Sequence, residues 1–264
     1  MKVDYSIGEV APYINWIYFF HAWGANGMPQ TERQQLQAEA KQCLSRFADH
    51  YRAHGLFELF DARGKDDDIV ILRNGREESI PCLRQQQQGS DFLCLADFIC
   101  QQDKVGIFAT TVDAGMETDF GGDPYEKMMM QLLADRLAEA AAERLHEQVR
   151  KTYWGYAPGE QLTIAEMLSE HWQGIRPAVG YPSLPDTSLN FLLDQLLNLS
   201  QIGIRLTVSG AMKPHASVSG LIIAHPKARY FSVGKISDDQ VADYARRRGV
   251  PVSLMRKFLG GNIQ

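Results

Sequence analysis

One unbroken helical stretch constrains the fold of this chain more than any other segment. Asp123 is placed to cap it, Pro124 suits its first helical position, and Glu126 stands at the capping-box position. No proline or glycine follows until Gly155, so the helix is expected to run from Pro124 to about Lys151. Met129, Leu133, Leu137, Ala141 and Leu145 recur along it at helical spacing. A stripe of that length needs an extended apolar partner, and β-rich segments lie on either side of it in the chain.

Those segments are Leu56 to Phe60, Ile69 to Leu72, Phe92 to Phe98 and Val105 to Thr111 before the helix. After it come Arg205 to Val208, Ser217 to Ala224 and Tyr230 to Ile236, with Pro226 helping to turn the chain between the last two. Asn74-Gly75 joins two strand candidates through a tight turn. Further helices are expected over Glu32 to His54, stopped by Gly55, and from Thr163, with Glu166 closing a capping box, to Gly174. Thr187 to Gln201 also reads as helix, and Gly249-Val250-Pro251 separates two short helices, the first opened by Ser237 and Gln240. Strands joined by short turns imply antiparallel pairing, with the helices on one face. The expectation is a single α+β domain spanning 1–264, a twisted, mainly antiparallel sheet bent around a helical layer.

A net charge of -5 argues against a broad nucleic-acid surface. No apolar run approaches the ~20 residues of a membrane span, and Asp4 and Glu9 stand where a signal peptide needs an apolar core. Cys43, Cys82, Cys94 and Cys100 form no C-x-x-C pair, so reduced thiols in a cytoplasmic protein are expected, with no metal site. The chain has no G-x-G-x-x-G after a strand, no G-x-x-x-x-G-K-[ST] and no G-x-S-x-G, and His146-Glu147 does not continue to H-E-x-x-H. Dehydrogenase, kinase and hydrolase readings lose their support.

What stands out is Gly174-Ile175-Arg176-Pro177-Ala178-Val179-Gly180-Tyr181-Pro182. Two prolines and two further glycines stiffen a loop that displays one arginine and one tyrosine. A rigid loop of this kind loses little entropy on binding a small molecule, although a stiff connection with Arg176 in water reads equally well from residue types alone.

This segment belongs to a longer ordered series. Ala134-Asp135-Arg136-Leu137-Ala138-Glu139-Ala140, Leu145-His146-Glu147, Trp154-Gly155-Tyr156-Ala157, Ala216-Ser217-Val218-Ser219-Gly220, His225-Pro226 and Asp243-Tyr244-Ala245-Arg246-Arg247 follow one another, with Tyr13-Ile14-Asn15-Trp16 near the start. The series resembles the activation domain of cobalamin-dependent methionine synthase over nearly the whole chain. The resemblance implies a helmet-shaped α+β fold that binds S-adenosylmethionine. It also implies reductive methylation of cob(II)alamin, so that the chain serves as the reactivation component of a methyltransferase in methionine biosynthesis. The cobalamin would be supplied by a methionine synthase module or subunit, and the electron by a flavodoxin-like donor. The chain lacks the D-x-H-x-x-G cobalt motif, so it is expected to act in trans or as an excised piece. No residue is expected to be catalytic, because no proton moves in the methyl transfer.

Carried over position by position, the resemblance implies that Arg176 pairs with the ligand carboxylate. It places Pro177, Ala178, Gly180 and Tyr181 along the ligand, and sets the strand aromatics Tyr230 and Phe231 near the sulfonium. Glu139 and Glu170 match acidic positions near the ligand, and Glu170 is expected in the last turn of its helix. Asn15 stands where the family has aspartate for the ligand ammonium, and Phe231 replaces a tyrosine. Ser183-Leu184-Pro185-Asp186-Thr187 lacks the family's Cys and His. These departures keep two narrower readings open: reactivation of a different corrinoid protein, and a non-catalytic S-adenosylmethionine-binding or docking module.

Overall fold

The computed structural model describes residues 1–263, so position 264 of the expected domain lies outside the described residues. The strands are β1 (Lys2–Ser6), β2 (Arg52–Lys65), β3 (Asp68–Arg73), β4 (Arg76–Pro81), β5 (Asp103–Val112), β6 (Arg205–Leu206), β7 (Met212–Lys213) and β8 (Ser217–Ile222). The helices are α1 (Ile7–Val10), α2 (Trp16–Ala22), α3 (Gln30–Phe47), α4 (Gly115–Thr118), α5 (Pro124–Gln148), α6 (Ile164–Leu168), α7 (Leu189–Leu197), α8 (Asp238–Arg248) and α9 (Val252–Phe258). The main sheet is antiparallel in the order β4-β3-β2-β5-β8, with β1 pairing on β2, and β6 and β7 form a separate ribbon. The α+β class and the antiparallel pairing are as the sequence implies.

Strand β5 lies inside the sheet between β2 and β8, and every residue from Val105 to Val112 is buried. The period-2 alternation then assigns the two faces. Phe108 and Val112 join the core beneath α5, and the Thr110 hydroxyl donates to Ala138 O at 2.9 Å. Val105, Ile107 and Ala109 face the opposite layer, where α7 contributes Leu189, Leu193, Leu196 and Leu197. Helices therefore cover both faces of the sheet, not one. A central strand without a polar face leaves no other arrangement. The expected stripe of α5 is fully buried, with Met129, Leu133, Leu137, Ala141 and Leu145 at 0% exposure. Each of its larger side chains contributes about 1.5–3 kcal/mol.

The long helix is capped as expected, Asp123 accepting from Tyr125 N at 2.9 Å, whereas Glu126 pairs with Arg46 and closes no box. Beyond Gln148 the chain passes into a π-helical turn over Val149–Tyr153. Helix α3 ends at Phe47, seven residues before the expected end at His54, because Arg52, Ala53 and His54 are drawn into β2 opposite Ser6, Tyr5 and Asp4. Gly55 thus lies inside a strand, where Leu145 packs against it. The run Phe92 to Phe98 is mostly a turn. The Asp97 carboxylate accepts from Cys94 N at 2.8 Å and curls Leu95–Phe98 into a 3-10 helix.

Tyr230 to Ile236 makes no ladder, its main-chain contacts being isolated ones such as Val233 N to Pro182 O at 2.9 Å. Helix α6 stops at Leu168 rather than near Gly174, although Thr163 and Glu166 do form its capping box. The segment Thr187 to Gln201 starts as helix only at Leu189 and breaks at Asn198, which is left-handed at φ 56°. The strand expected over Arg205 to Val208 shortens to Arg205–Leu206. Ser237 and Gln240 close no box. Ser237 bonds Gln86, and Gln240 exchanges hydrogen bonds with the main chain of Arg84, tying α8 to the segment after β4. The turn at Asn74-Gly75 is as expected, both residues having positive φ between paired Arg73 and Arg76.

Along the outer edge of β8 the chain returns as an extended strip. Ile175 and Ile223 exchange both main-chain hydrogen bonds (2.9 and 3.0 Å), Leu221 N donates to Pro177 O (3.0 Å), and Val179 N donates to Ser219 O (2.9 Å). Gly220 makes this contact possible, since a Cβ there would stand 2.2 Å from Pro177 O and 2.8 Å from Ala178 Cα. Gly220→Ala should therefore force two main-chain segments apart and cost at least the ~1–3 kcal/mol of an overpacked core. Urea denaturation checks this, and a loss below ~0.5 kcal/mol would mean that the strip is not held this closely.

Candidate functional site

The strip has little local freedom. Gly174 has φ 85°, and a Cβ on it would lie 2.2 Å from Ile223 O, so the chain can enter the β8 edge here only without a side chain. Pro177 donates no main-chain hydrogen bond, which suits an edge position. Gly180, at φ 88°, turns the chain, its N–H donating to Leu184 O at 2.8 Å. The result places Arg176, Pro177 and Ala178 between β8 and the C-terminal half of α5.

A cleft of about 570 Å³ opens there, a volume ordinary for a small-molecule site. Nine of the ten expected site residues line it: Asn15, Glu139, Glu170, Arg176, Pro177, Ala178, Tyr181, Tyr230 and Phe231. They come from α2, α5, the strip and two loops. Gly180 does not line the cleft and acts as the hinge of the turn beneath it.

Arg176 forms the floor. Its side chain is 9% exposed, and its guanidinium meets Glu143 end-on, with Nη2 to Oε1 at 2.5 Å and Nη1 to Oε2 at 3.2 Å. Nη1 also donates to Ala142 O at 3.0 Å. The Trp172 ring lies 5.7 Å and the Phe108 ring 6.0 Å from the guanidinium carbon, a cation–π cage on two sides. Burial works against this cation, and the charge of Glu143 and its hydrogen bonds more than offset it, so the arginine stays charged. Glu143 is the main residue missed in the sequence. It sits one turn past Glu139 on the same face of α5, and that spacing was the available signal.

Tyr230 belongs to an extended loop, not to a strand, and its hydroxyl accepts from Arg176 N at 2.9 Å. Phe231 points partly toward Phe98, 6.5 Å between centroids, at the rim. Tyr181 donates to Glu139 at 2.8 Å, so Glu139 orients the aromatic wall and is not a freely solvated helix residue. Burial and the Glu139 charge push the Tyr181 phenol up. Glu170 lies just past the end of α6 in the left-handed region at φ 59°, a conformation costly for a non-glycine residue. Its carboxyl is raised by partial burial against the downward pull of Arg176. Asn15 is the N-cap of α2, its Oδ1 accepting from Ile17 N at 3.1 Å. Leu184 is buried in the core, and Asp186 nearby is fully buried on Tyr244 and Arg248.

Behind the floor, His146 is fully buried, with Nε2 3.1 Å from the Tyr156 hydroxyl and its ring edge-on to Trp172. Arg150, also fully buried, pairs with Glu160 at 2.6 Å and lies 5.0 Å over the Trp172 ring. Burial, then the charges of Arg176 and Arg150, push the His146 pKa well below the ordinary imidazole value, so His146 is a neutral structural residue.

The vitamin B12 dependent methionine synthase activation domain family matches residues 6–249. A crystal structure of the MetH reactivation domain bound to AdoHcy is 37% identical, with a TM-score of 0.93, over 100% of this chain and 90% of that one.

The buried imidazole has a consequence for acid stability. The unfolded chain takes up a proton below about pH 6.5 that the folded chain refuses, so the contribution of His146 is intact above that pH and lost below it. Between pH 6 and 5 the wild type should lose up to about 1.4 kcal/mol per pH unit more than His146→Gln. Urea titrations at each pH check this, and parallel curves would contradict it.

Proposed function

Since this chain belongs to the activation-domain family of vitamin B12-dependent methionine synthase, we propose that its cleft binds S-adenosylmethionine and presents the methyl group to a cobalamin carried by a separate module. The observation that carries this reading is the convergence of nine expected residues on one cleft, in a chain similar throughout to a domain that holds AdoHcy. The reaction is reductive methylation. A flavodoxin-like donor supplies one electron to cob(II)alamin, and the sulfonium supplies the methyl group, leaving S-adenosylhomocysteine. The partner is a methionine synthase module or subunit reached in trans, in the cytoplasm.

The chain's own residues bind and orient. Arg176 takes the amino-acid carboxylate, a charge-assisted pairing with two donors on one edge. Ala178 N–H has no acceptor among the described residues and is available to the ligand. Asn15 Oδ1 keeps a second lone pair for the ligand ammonium while it caps α2. Tyr181, held by Glu139, and the ring of Tyr230 supply apolar and π surface along the adenosyl and sulfonium portions. Phe231 adds the same surface without a hydroxyl. The carboxylates of Glu139 and Glu170 give the cleft a negative rim that suits a sulfonium cation. No general base is required.

Calorimetry should detect S-adenosylmethionine at submillimolar concentration, and no heat at millimolar ligand would overturn the reading. Arg176→Lys keeps the charge but loses the two-donor edge, and should weaken binding tenfold or more, in line with the ~1.5–3 kcal/mol of charged hydrogen bonds. Asn15→Asp keeps the cap and adds a charge opposite the ammonium, and should tighten binding severalfold. Equal affinities for wild type and both variants would place the ligand elsewhere. Transfer of labelled methyl to a supplied cobalamin module, dependent on a reductant, tests the chemistry itself.

A further inference from the structure

The hydrogen bonds of Arg176 are not distributed evenly over its guanidinium. Glu143 takes the end edge, formed by Nη1 and Nη2, and Ala142 O takes the second Nη1 hydrogen. Nε has no partner among the described residues, and the remaining Nη2 hydrogen lies on the same side as the Nε hydrogen. The rings of Trp172 and Phe108 pack 5.7 and 6.0 Å from its carbon. One edge is left, Nε with Nη2, a pair of parallel donors on a residue that lines the cleft.

We propose that Glu143 is a specificity-determining positioning residue: by occupying the end edge of Arg176, it leaves only the side edge for the ligand and so selects ligands that carry a carboxylate. This inference rests on the cleft being the S-adenosylmethionine site. Glu143 itself does not reach the carboxylate. It sets the direction of the fork, and its charge keeps a buried cation from being left unpaired when the cleft is empty. Without it the guanidinium would rotate toward whichever acceptor is nearest, and the parallel pair of donors would no longer face the ligand. The main-chain bond from Arg176 N to the Tyr230 hydroxyl fixes the root of the side chain and Glu143 fixes its tip, so each end is held by a different element.

A merely structural role and a positioning role differ in ligand selectivity. S-adenosylhomocysteine and 5′-methylthioadenosine share the adenosyl group and a thioether sulfur, but only the first has the carboxylate. Calorimetric titration of the whole chain with each should show that Glu143→Ala weakens S-adenosylhomocysteine at least tenfold and changes 5′-methylthioadenosine less than twofold. Glu143→Gln, which keeps one acceptor and the side-chain volume, should lose an intermediate amount on S-adenosylhomocysteine alone, and it decides the matter if the alanine variant does not fold. Equal weakening of both ligands, or unchanged binding of both, overturns the inference. Wild-type protein that binds neither ligand would sink the site assignment as well, whereas wild type that binds S-adenosylhomocysteine with no loss in either variant sinks the positioning role alone.

Discussion

The close seating of Ile175–Val179 against β8 is the contact on which the rest of the site depends. It requires a missing side chain at Gly220, a second at Gly174, and a proline at 177 that asks for no main-chain acceptor. With those three in place, a short run of chain becomes an additional edge of the sheet. Arg176 is then carried into the space beside α5, and Ala178 faces the cleft. The site is rigid because it is built on sheet hydrogen bonds. Its neighbours are rigid because α5 is buried along its length against the same sheet.

Putting a guanidinium into such a position creates an electrostatic problem, and much of the local sequence answers it. Arg176 and Arg150 approach the indole of Trp172, each with its own carboxylate, Glu143 and Glu160. Pairs of this kind are expensive to desolvate and more expensive to break. The adjoining imidazole of His146 stays neutral, because burial disfavours its charged form and the two guanidiniums add to that. Nδ1 of His146, Nη1 of Arg150 and Nε1 of Trp172 have no partner among the described residues, three buried polar atoms in one region. That region lies directly behind the cleft floor, and its strain is of the kind found beside functional sites.

The left-handed Glu170 and the π-helical turn after α5 belong to the same pattern. Both are local conformations that residue preferences disfavour, and both border the cleft or the layer beneath it. Single departures from regular structure concentrate where a site has to be shaped, while the sheet and the long helix follow the rules closely.

The long helix, the antiparallel α+β class and nine of the residues that line the cleft were legible in the sequence, for definite reasons. The stripe of α5 is long and uninterrupted, the Asn74-Gly75 turn has one favoured geometry, and the Gly-Ile-Arg-Pro-Ala segment carries its own rigidity. Where local preference met tertiary demand, tertiary demand prevailed. Arg52 to His54 left a helical pattern to pair with β1, Phe92 to Phe98 curled around the Asp97 carboxylate, and Tyr230 lost its strand because the strip already occupies the edge of β8. Glu143 was only partly legible: its spacing put it on the Glu139 face of α5, but nothing in the sequence placed it against Arg176. An exposed-looking carboxylate on a helix acquires its role only when a distant arginine folds onto it, and periodicity carries no record of that meeting. The sequence by itself determined the long helix, the antiparallel class and the stiffness of the 174–182 segment. Only the tertiary structure decided which edge of Arg176 is free, because that depends on side chains brought together from residues far apart in the chain.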